Sequence, residues 1–157
     1  MMTGMFRAIV FVVLITSAFA GESLDPLLHA SRGFSTAIRQ QILAINRGPS
    51  LLEFVAKTIV YAQAKTAYFD ALRAAAPELM DIATGREARS PELDKFAAAF
   101  SVAGEKQEKT ADEQTLFLLK QLSFDPDIEK ARAEFEKAQK VEERFHHDFD
   151  GVDFTMR

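Results

Sequence analysis

Apolar residues recur at intervals of three and four along most of this chain, and no stretch alternates apolar and polar residues over the length of a strand. Such spacing places the apolar side chains on one face of an α-helix, whereas a half-buried strand needs a period of two. The clearest stripe consists of Ile128, Ala131, Phe135, Ala138, Val141 and Phe145. The pattern therefore predicts an all-α protein.

Helix-start signals divide this pattern into segments. Each start is marked by a capping residue before proline or by a capping box: Asp25-Pro26, Ser50 to Glu53, Ser90-Pro91, Thr110 to Glu113 and Asp125-Pro126. Gly48, Gly85 and Gly104 predict helix ends, Pro77 predicts a kink or an end, and the polar run 105–110 predicts an exposed link. Short connections favour antiparallel neighbours, so we expect an antiparallel bundle of four to six helices.

The first twenty residues have the pattern of an export signal. Arg7 precedes an apolar run from Ala8 to Phe19, and Ala18 and Ala20 are the small residues that signal peptidase recognises. The run is shorter than the roughly 20 residues that a membrane span needs. We therefore expect residues 1–20 to be a cleaved signal peptide and residues 21–157 to form a single helical domain. That domain would lie in the periplasm or outside the cell, with no stable membrane insertion.

Composition excludes several classes of protein. The chain has no cysteine, which excludes disulfide scaffolds, thiolate metal sites and covalently attached haem. Its net charge of −4 gives no sign of the basic face typical of nucleic-acid binding. No nucleophile elbow and no glycine-rich phosphate loop occurs. These absences favour a non-enzymatic protein without a cofactor.

The residues after the last helical stripe carry a possible metal motif. Asp148, Asp150 and Gly151 match positions three, five and six of a calcium loop, and Asp153 adds a further oxygen donor. His146 stands where the loop needs its first aspartate. Calcium is therefore one interpretation, and a transition metal held by His146 is another. The alternative is a helix that ends near Gly151 with exposed acidic residues.

Three aromatic residues in the second helical segment form a candidate ligand groove. Phe54, Tyr61 and Tyr68 recur at intervals of seven residues, and Lys57 and Lys65 lie near the same line. An aromatic surface with cationic edges suits a partner helix or a small amphiphile. The alternative is that the tyrosines are half-buried bundle residues whose hydroxyls reach water.

Taken together, the sequence predicts an exported, non-enzymatic helical-bundle domain that binds another protein or a small apolar ligand. The alternative is a metal-binding protein that uses the C-terminal histidine and aspartates.

Overall fold

The computed structural model describes residues 20–85, 91 and 102–150. The predicted signal sequence up to Phe19, most of the segment predicted to be helical from Ser90 to Gly104, and Asp153 lie outside this part of the chain. Four helices make up nearly all of it: α1 (Ala20–Asn46), α2 (Leu51–Ala83), α3 (Val102–Gln121) and α4 (Pro126–Asp148). No strand occurs among the described residues, so the predicted all-α class is confirmed. None of these helices is long and apolar enough to cross a membrane.

Helix α2 is the centre of the arrangement. It packs most extensively against α1 and α4, whereas α3 packs mainly against α1. Gln41 contacts Thr58, and Phe34 contacts Tyr68, so α1 and α2 are antiparallel. The α3 and α4 backbones approach each other closely at few points. Side chains from α2 therefore reach both of these helices.

Two of the predicted caps have the expected geometry. Ser50 Oγ accepts a hydrogen bond from the Glu53 backbone N–H at 3.2 Å at the start of α2. Asp125 Oδ1 accepts one from the Asp127 N–H at 2.9 Å at the start of α4. Gly48 and Gly85 follow α1 and α2 with φ values of 67° and 75°, the left-handed conformation that glycine adopts without steric cost. These signals place the turns correctly.

The prediction that Pro26 begins a helix is wrong, and so is the alternative in which Pro77 ends one. Pro26 does not begin α1 and Pro77 does not end α2, because both lie inside a continuous helix. A proline in a helix interior costs about 3 kcal/mol, since it lacks an N–H and crowds the preceding turn. Both prolines face solvent, and buried leucines follow them at Leu27 and Leu79. Core packing on both sides of each proline holds the helix together.

The polar run 105–110 is also different from the prediction. It belongs to α3, and so does Gly104, which was predicted to end a helix. Thr110 caps nothing, because its hydroxyl donates a hydrogen bond to the Lys106 carbonyl within the helix, at 3.0 Å. The run is helical because Glu108 is an inward-facing residue whose polar partner comes from α2.

The core consists mainly of the predicted stripes. The buried side chains of α4 are Ile128, Ala131, Phe135, Ala138 and Phe145. Phe34 of α1 contacts the rings of Tyr61, Tyr68 and Phe69 of α2. Within this apolar core lie six buried polar or charged side chains: Ser31, Gln41, Thr58, Lys65, Glu108 and Thr115.

Candidate functional site: a buried lysine among three carboxylates

Lys65 is the most unusual residue of the core, because its side chain is fully buried. It lies four residues after Tyr61 and three before Tyr68, so helical spacing places all three on the inward face of α2. An isolated ammonium group in such a position would be strongly unfavourable. The site around Lys65 is therefore organised by the groups that compensate its charge.

Three carboxylates and an amide surround the ammonium. Lys65 Nζ lies 2.8 Å from Asp112 Oδ2 and 3.4 Å from Glu108 Oε1, and it also contacts Glu142 Oε2. Gln139 Oε1 accepts a further hydrogen bond at 3.3 Å. We call Lys65, Glu108, Asp112 and Glu142 the lysine–carboxylate cluster.

Helical spacing places the residues that contact Lys65 on neighbouring turns of α3 and of α4. Glu108 and Asp112 are four residues apart on α3, and Gln139 and Glu142 are three apart on α4, so each pair lies on one helix face. The α2 helix supplies the cation between them. The cluster therefore joins three helices, α2, α3 and α4.

The cluster holds more negative than positive charge. Oxygens of the three carboxylates lie within 4.8 Å of one another, and Lys65 is the ammonium among them. Burial alone lowers the pKa of Lys65, but Asp112, Glu142 and Glu108 together raise it, so the amine stays protonated. Burial and the nearby Glu142 raise the pKa of Glu108 to about 8, and Lys65 only partly opposes this. Burial and the neighbouring carboxylate therefore favour the protonated form of Glu108.

The tyrosines add to the same network. The Tyr61 hydroxyl donates a hydrogen bond to Asp112 Oδ1 at 2.5 Å. Burial, followed by the charge of Asp112, raises the pKa of Tyr61, and burial and Glu108 raise the pKa of Tyr68. Both side chains remain neutral phenols, so Asp112 receives one neutral donor and one charged donor.

A second polar layer lies next to the cluster. Gln41 Nε2 of α1 donates hydrogen bonds to Thr58 Oγ1 of α2 at 3.0 Å and to Thr115 Oγ1 of α3 at 3.1 Å. All three side chains are buried. This layer fixes α3 against α1 and α2, seven residues along α3 from Glu108.

The chemistry of the cluster is that of a charge-compensated core. A protonated amine bound to carboxylates is not a nucleophile, because nucleophilic attack needs the free base. The ammonium also occupies the position between three carboxylates that a metal ion would need. The arrangement can bind and release a proton at Glu108, and it can hold three helices together.

The predicted groove residues are part of the core. Phe54, Tyr61 and Tyr68 are 4%, 0% and 5% exposed, so they form no open aromatic surface. Lys65, predicted to form a cationic edge of that surface, is buried with them. The cause is that both tyrosines face α1, where Phe34 packs against their rings.

The predicted metal residues that the structure describes are exposed, and two of them have other charged neighbours. Asp148 Oδ2 lies 2.8 Å from Arg73 Nη1 of α2, and this contact lowers the pKa of Asp148. His146 is exposed, with Nε2 3.7 Å from Glu142 Oε1. Asp150 is an exposed residue of the turn after α4. The structure thus brings His146 towards the lysine–carboxylate cluster and pairs Asp148 with an arginine.

Sequence reasoning missed the cluster, although two signals were present. Lys65 interrupts an otherwise apolar stripe between Tyr61 and Tyr68, and Glu142 lies between the buried residues Ala138 and Phe145 at spacings of four and three. A charged residue inside an apolar stripe indicates a buried partner of opposite charge. Two such residues of opposite sign on different helices predict an interhelical ion pair.

A separate feature is a group of exposed apolar side chains at one end of the molecule. This is the end where α1 turns into α2 and α3 into α4. The residues are between 43% and 81% exposed: Leu43, Leu51, Leu52, Leu116, Phe117 and Phe124. We call this group the apolar end. Leu52, at 75% exposed, lies outside the core.

Comparison of the chain with models of known protein families, with curated proteins and with solved structures found no match. The lysine–carboxylate cluster and the apolar end are therefore the two features of the molecule that bear on its function.

Proposed function

We propose that residues 21–157 form an exported, non-enzymatic helical protein that binds another protein through the apolar end. The observation that carries this proposal is the concentration of six exposed large apolar side chains at one end of the described helices. Proteins that remain monomeric seldom expose contiguous apolar patches above a few hundred Å², and larger patches commonly mark interaction surfaces. Export rests on the signal pattern of the first twenty residues.

A protein partner fits this surface better than a small apolar ligand does. Ligand sites are concave and enclose most of the ligand surface. The apolar end instead consists of side chains on helix ends and on the turn between α3 and α4, with Phe124 81% exposed. Exposed aromatic and leucine side chains of this kind fit a complementary apolar surface on another protein.

Binding rather than catalysis is supported by how the reactive groups are used. The Lys65 ammonium is bound by carboxylates, and the Tyr61 hydroxyl is bound by Asp112. Both groups are committed to contacts that stabilise the core. A metal function of the C-terminal residues has less support, because Asp148 is already paired with Arg73.

Site-specific photo-crosslinking in the producing cell tests the proposal. A photoreactive phenylalanine analogue replaces Phe117 or Phe124, and the matched control places it at Glu136, an exposed residue of α4. We expect one protein to crosslink at both positions of the apolar end and not at the control. That protein is then purified, and its affinity is measured for the wild type, Phe124→Ser and Glu136→Ser. A loss of at least about tenfold for Phe124→Ser alone supports the proposal. Equal crosslinking at all three positions, or equal affinities, would contradict it.

A further inference from the structure

We propose that Glu108 is a proton-operated latch, which closes α3 against α2 and α4 while it is protonated and loosens α3 when its proton is released to solvent. The proposal concerns a conformational device in the core and is independent of the proposed binding surface.

The geometry requires such a proton. Three carboxylates share a space in which their oxygens lie within 4.8 Å, and Lys65 supplies one positive charge there. Two carboxylates that share a site cannot both ionise without strong repulsion. Glu108 is the most buried of the three, with an 11% exposed side chain against 19% for Glu142 and 21% for Asp112. It is therefore the carboxyl that keeps the proton.

The latch acts on α3 because polar side chains make up half of the buried face that the structure describes for this helix. The buried residues of that face are Glu108, Ala111, Thr115 and Leu119. By contrast, the buried face of α4 is wholly apolar. Ionisation of Glu108 thus adds a charge at the helix with the least described apolar burial to oppose it.

In the part of the chain that the structure describes, titratable groups face Glu108 from α2, α3 and α4. Helix α2 contributes Lys65, which stays positively charged, and Tyr61 and Tyr68, which stay neutral. Glu105 and Asp112 lie on α3 itself, and Glu142 lies on α4 with His146 beside it. The α1 side of this part of the core is formed by Phe34. His146 lies beside Glu142, so the test must separate its contribution from that of Glu108.

The rise in the pKa of Glu108 on folding determines how the closure of α3 changes with pH. The pKa of Glu108 rises from 4.5 to about 8 on folding, so the folded protein holds the extra proton. The stabilisation is complete below pH 4.5 and is lost as the pH rises through about 8. Closure of α3 should therefore weaken progressively across that interval and become constant above it.

Amide hydrogen exchange on the full mature chain measures this directly. After correction for the intrinsic exchange rate, we expect the opening constant of α3 to rise about tenfold per pH unit between pH 5 and 7.5 and to level off above about pH 8. Amides at the α1–α2 interface should not follow this trend. Glu108→Gln keeps a hydrogen-bond donor without a titrating proton, and it should abolish most of the pH dependence of the α3 opening constant. The matched control Glu113→Gln, at an exposed site of α3, should retain it.

Two results would overturn the latch. One is a Glu108→Gln variant whose α3 opening has the same pH dependence as the wild type; because both proteins retain His146, that result would assign the dependence elsewhere. The other is a carbon-13 NMR titration of the wild-type chain in which the Glu108 carboxyl titrates near 4.5. The NMR measurement decides the question even if Glu108→Gln does not fold.

Discussion

Lys65 and the carboxylates around it depend on one another for their charge compensation. A buried ion pair adds little stability compared with apolar residues of the same size, because both charges lose their water. Removing one member of the cluster instead destabilises the protein, since the remaining charges stay buried without a partner. Lys65 faces three carboxyl groups, so its loss leaves the largest imbalance of any residue in the cluster.

Replacing Lys65 by methionine should therefore destabilise the protein strongly. The methionine fills a similar volume but leaves Asp112 and Glu142 without the ammonium, and we expect a loss of about 3–5 kcal/mol in the free energy of unfolding. Urea denaturation monitored by circular dichroism measures the change. Lys109→Met is the control, because the Lys109 side chain is 77% exposed and its removal should change stability by less than about 0.5 kcal/mol. Equal effects of the two substitutions would contradict the role assigned to Lys65.

The Gln41 layer supports a second prediction at this scale. Thr115→Val removes the acceptor for one Gln41 N–H at nearly constant volume, and we expect a loss of about 1–2 kcal/mol because that buried donor loses its partner. Thr110→Val on the exposed side of the same helix is the matched control. A cost for Thr115→Val no greater than for Thr110→Val would show that the layer does not contribute to stability.

At the scale of the helix, packing overrides local preference. Isolated helices are marginal in water, and most of their stability in proteins comes from burial of one face. Both Pro77 in α2 and the polar run 105–110 in α3 oppose a helix or a buried face when taken alone. They are accommodated because each lies in a helix that is anchored on both sides by buried residues, such as Ala76 and Leu79 around Pro77.

This explanation predicts that Pro77 is a local weakness of α2. Pro77→Ala restores a backbone N–H at an exposed interior position and should raise the free energy of unfolding by about 1–3 kcal/mol. Pro126→Ala is the control, because proline at the first position of α4 costs no intrahelical hydrogen bond. Thermal denaturation compares the two. Stabilisation by Pro126→Ala but not by Pro77→Ala would refute the explanation.

In the whole molecule, one end of α1 belongs to the proposed binding surface and the other adjoins the predicted signal peptide. Its C-terminal end joins the apolar end, where we place the binding surface. The described part of α1 starts at Ala20, the last residue of the predicted signal peptide. Cleavage after Ala20 would leave nearly all of α1, including the buried residues Leu24 and Leu27, in the mature protein.

Signal cleavage predicts the mass of the exported protein. Intact mass spectrometry of the protein isolated from its producing cell should give the mass of residues 21–157. A product that retains residues 1–20 would show that the segment is not removed and would remove the argument for export by this route. Recombinant protein with a blocked cleavage site provides the mass reference for the uncleaved form.

Local patterns in the sequence determined the helical class, the turns at Gly48 and Gly85, and the buried stripe of α4. These features depend on residues within a few positions of one another, so caps and helical spacing are sufficient to predict them. The long helix through Pro77 and the helical polar run of α3 could not be obtained in this way, because packing from other helices decides them.

The lysine–carboxylate cluster belongs wholly to the tertiary structure. Lys65 and Glu142 can be recognised in the sequence as charged residues within apolar stripes, but Glu108 and Asp112 lie in a segment that looks solvated. Their burial depends on which helices become neighbours and on the space between α3 and α4. Local sequence patterns determined the helical class and the turns, whereas the raised pKa of Glu108 follows from distances between three helices, because the free energy of a buried charge is set by the groups that fold around it.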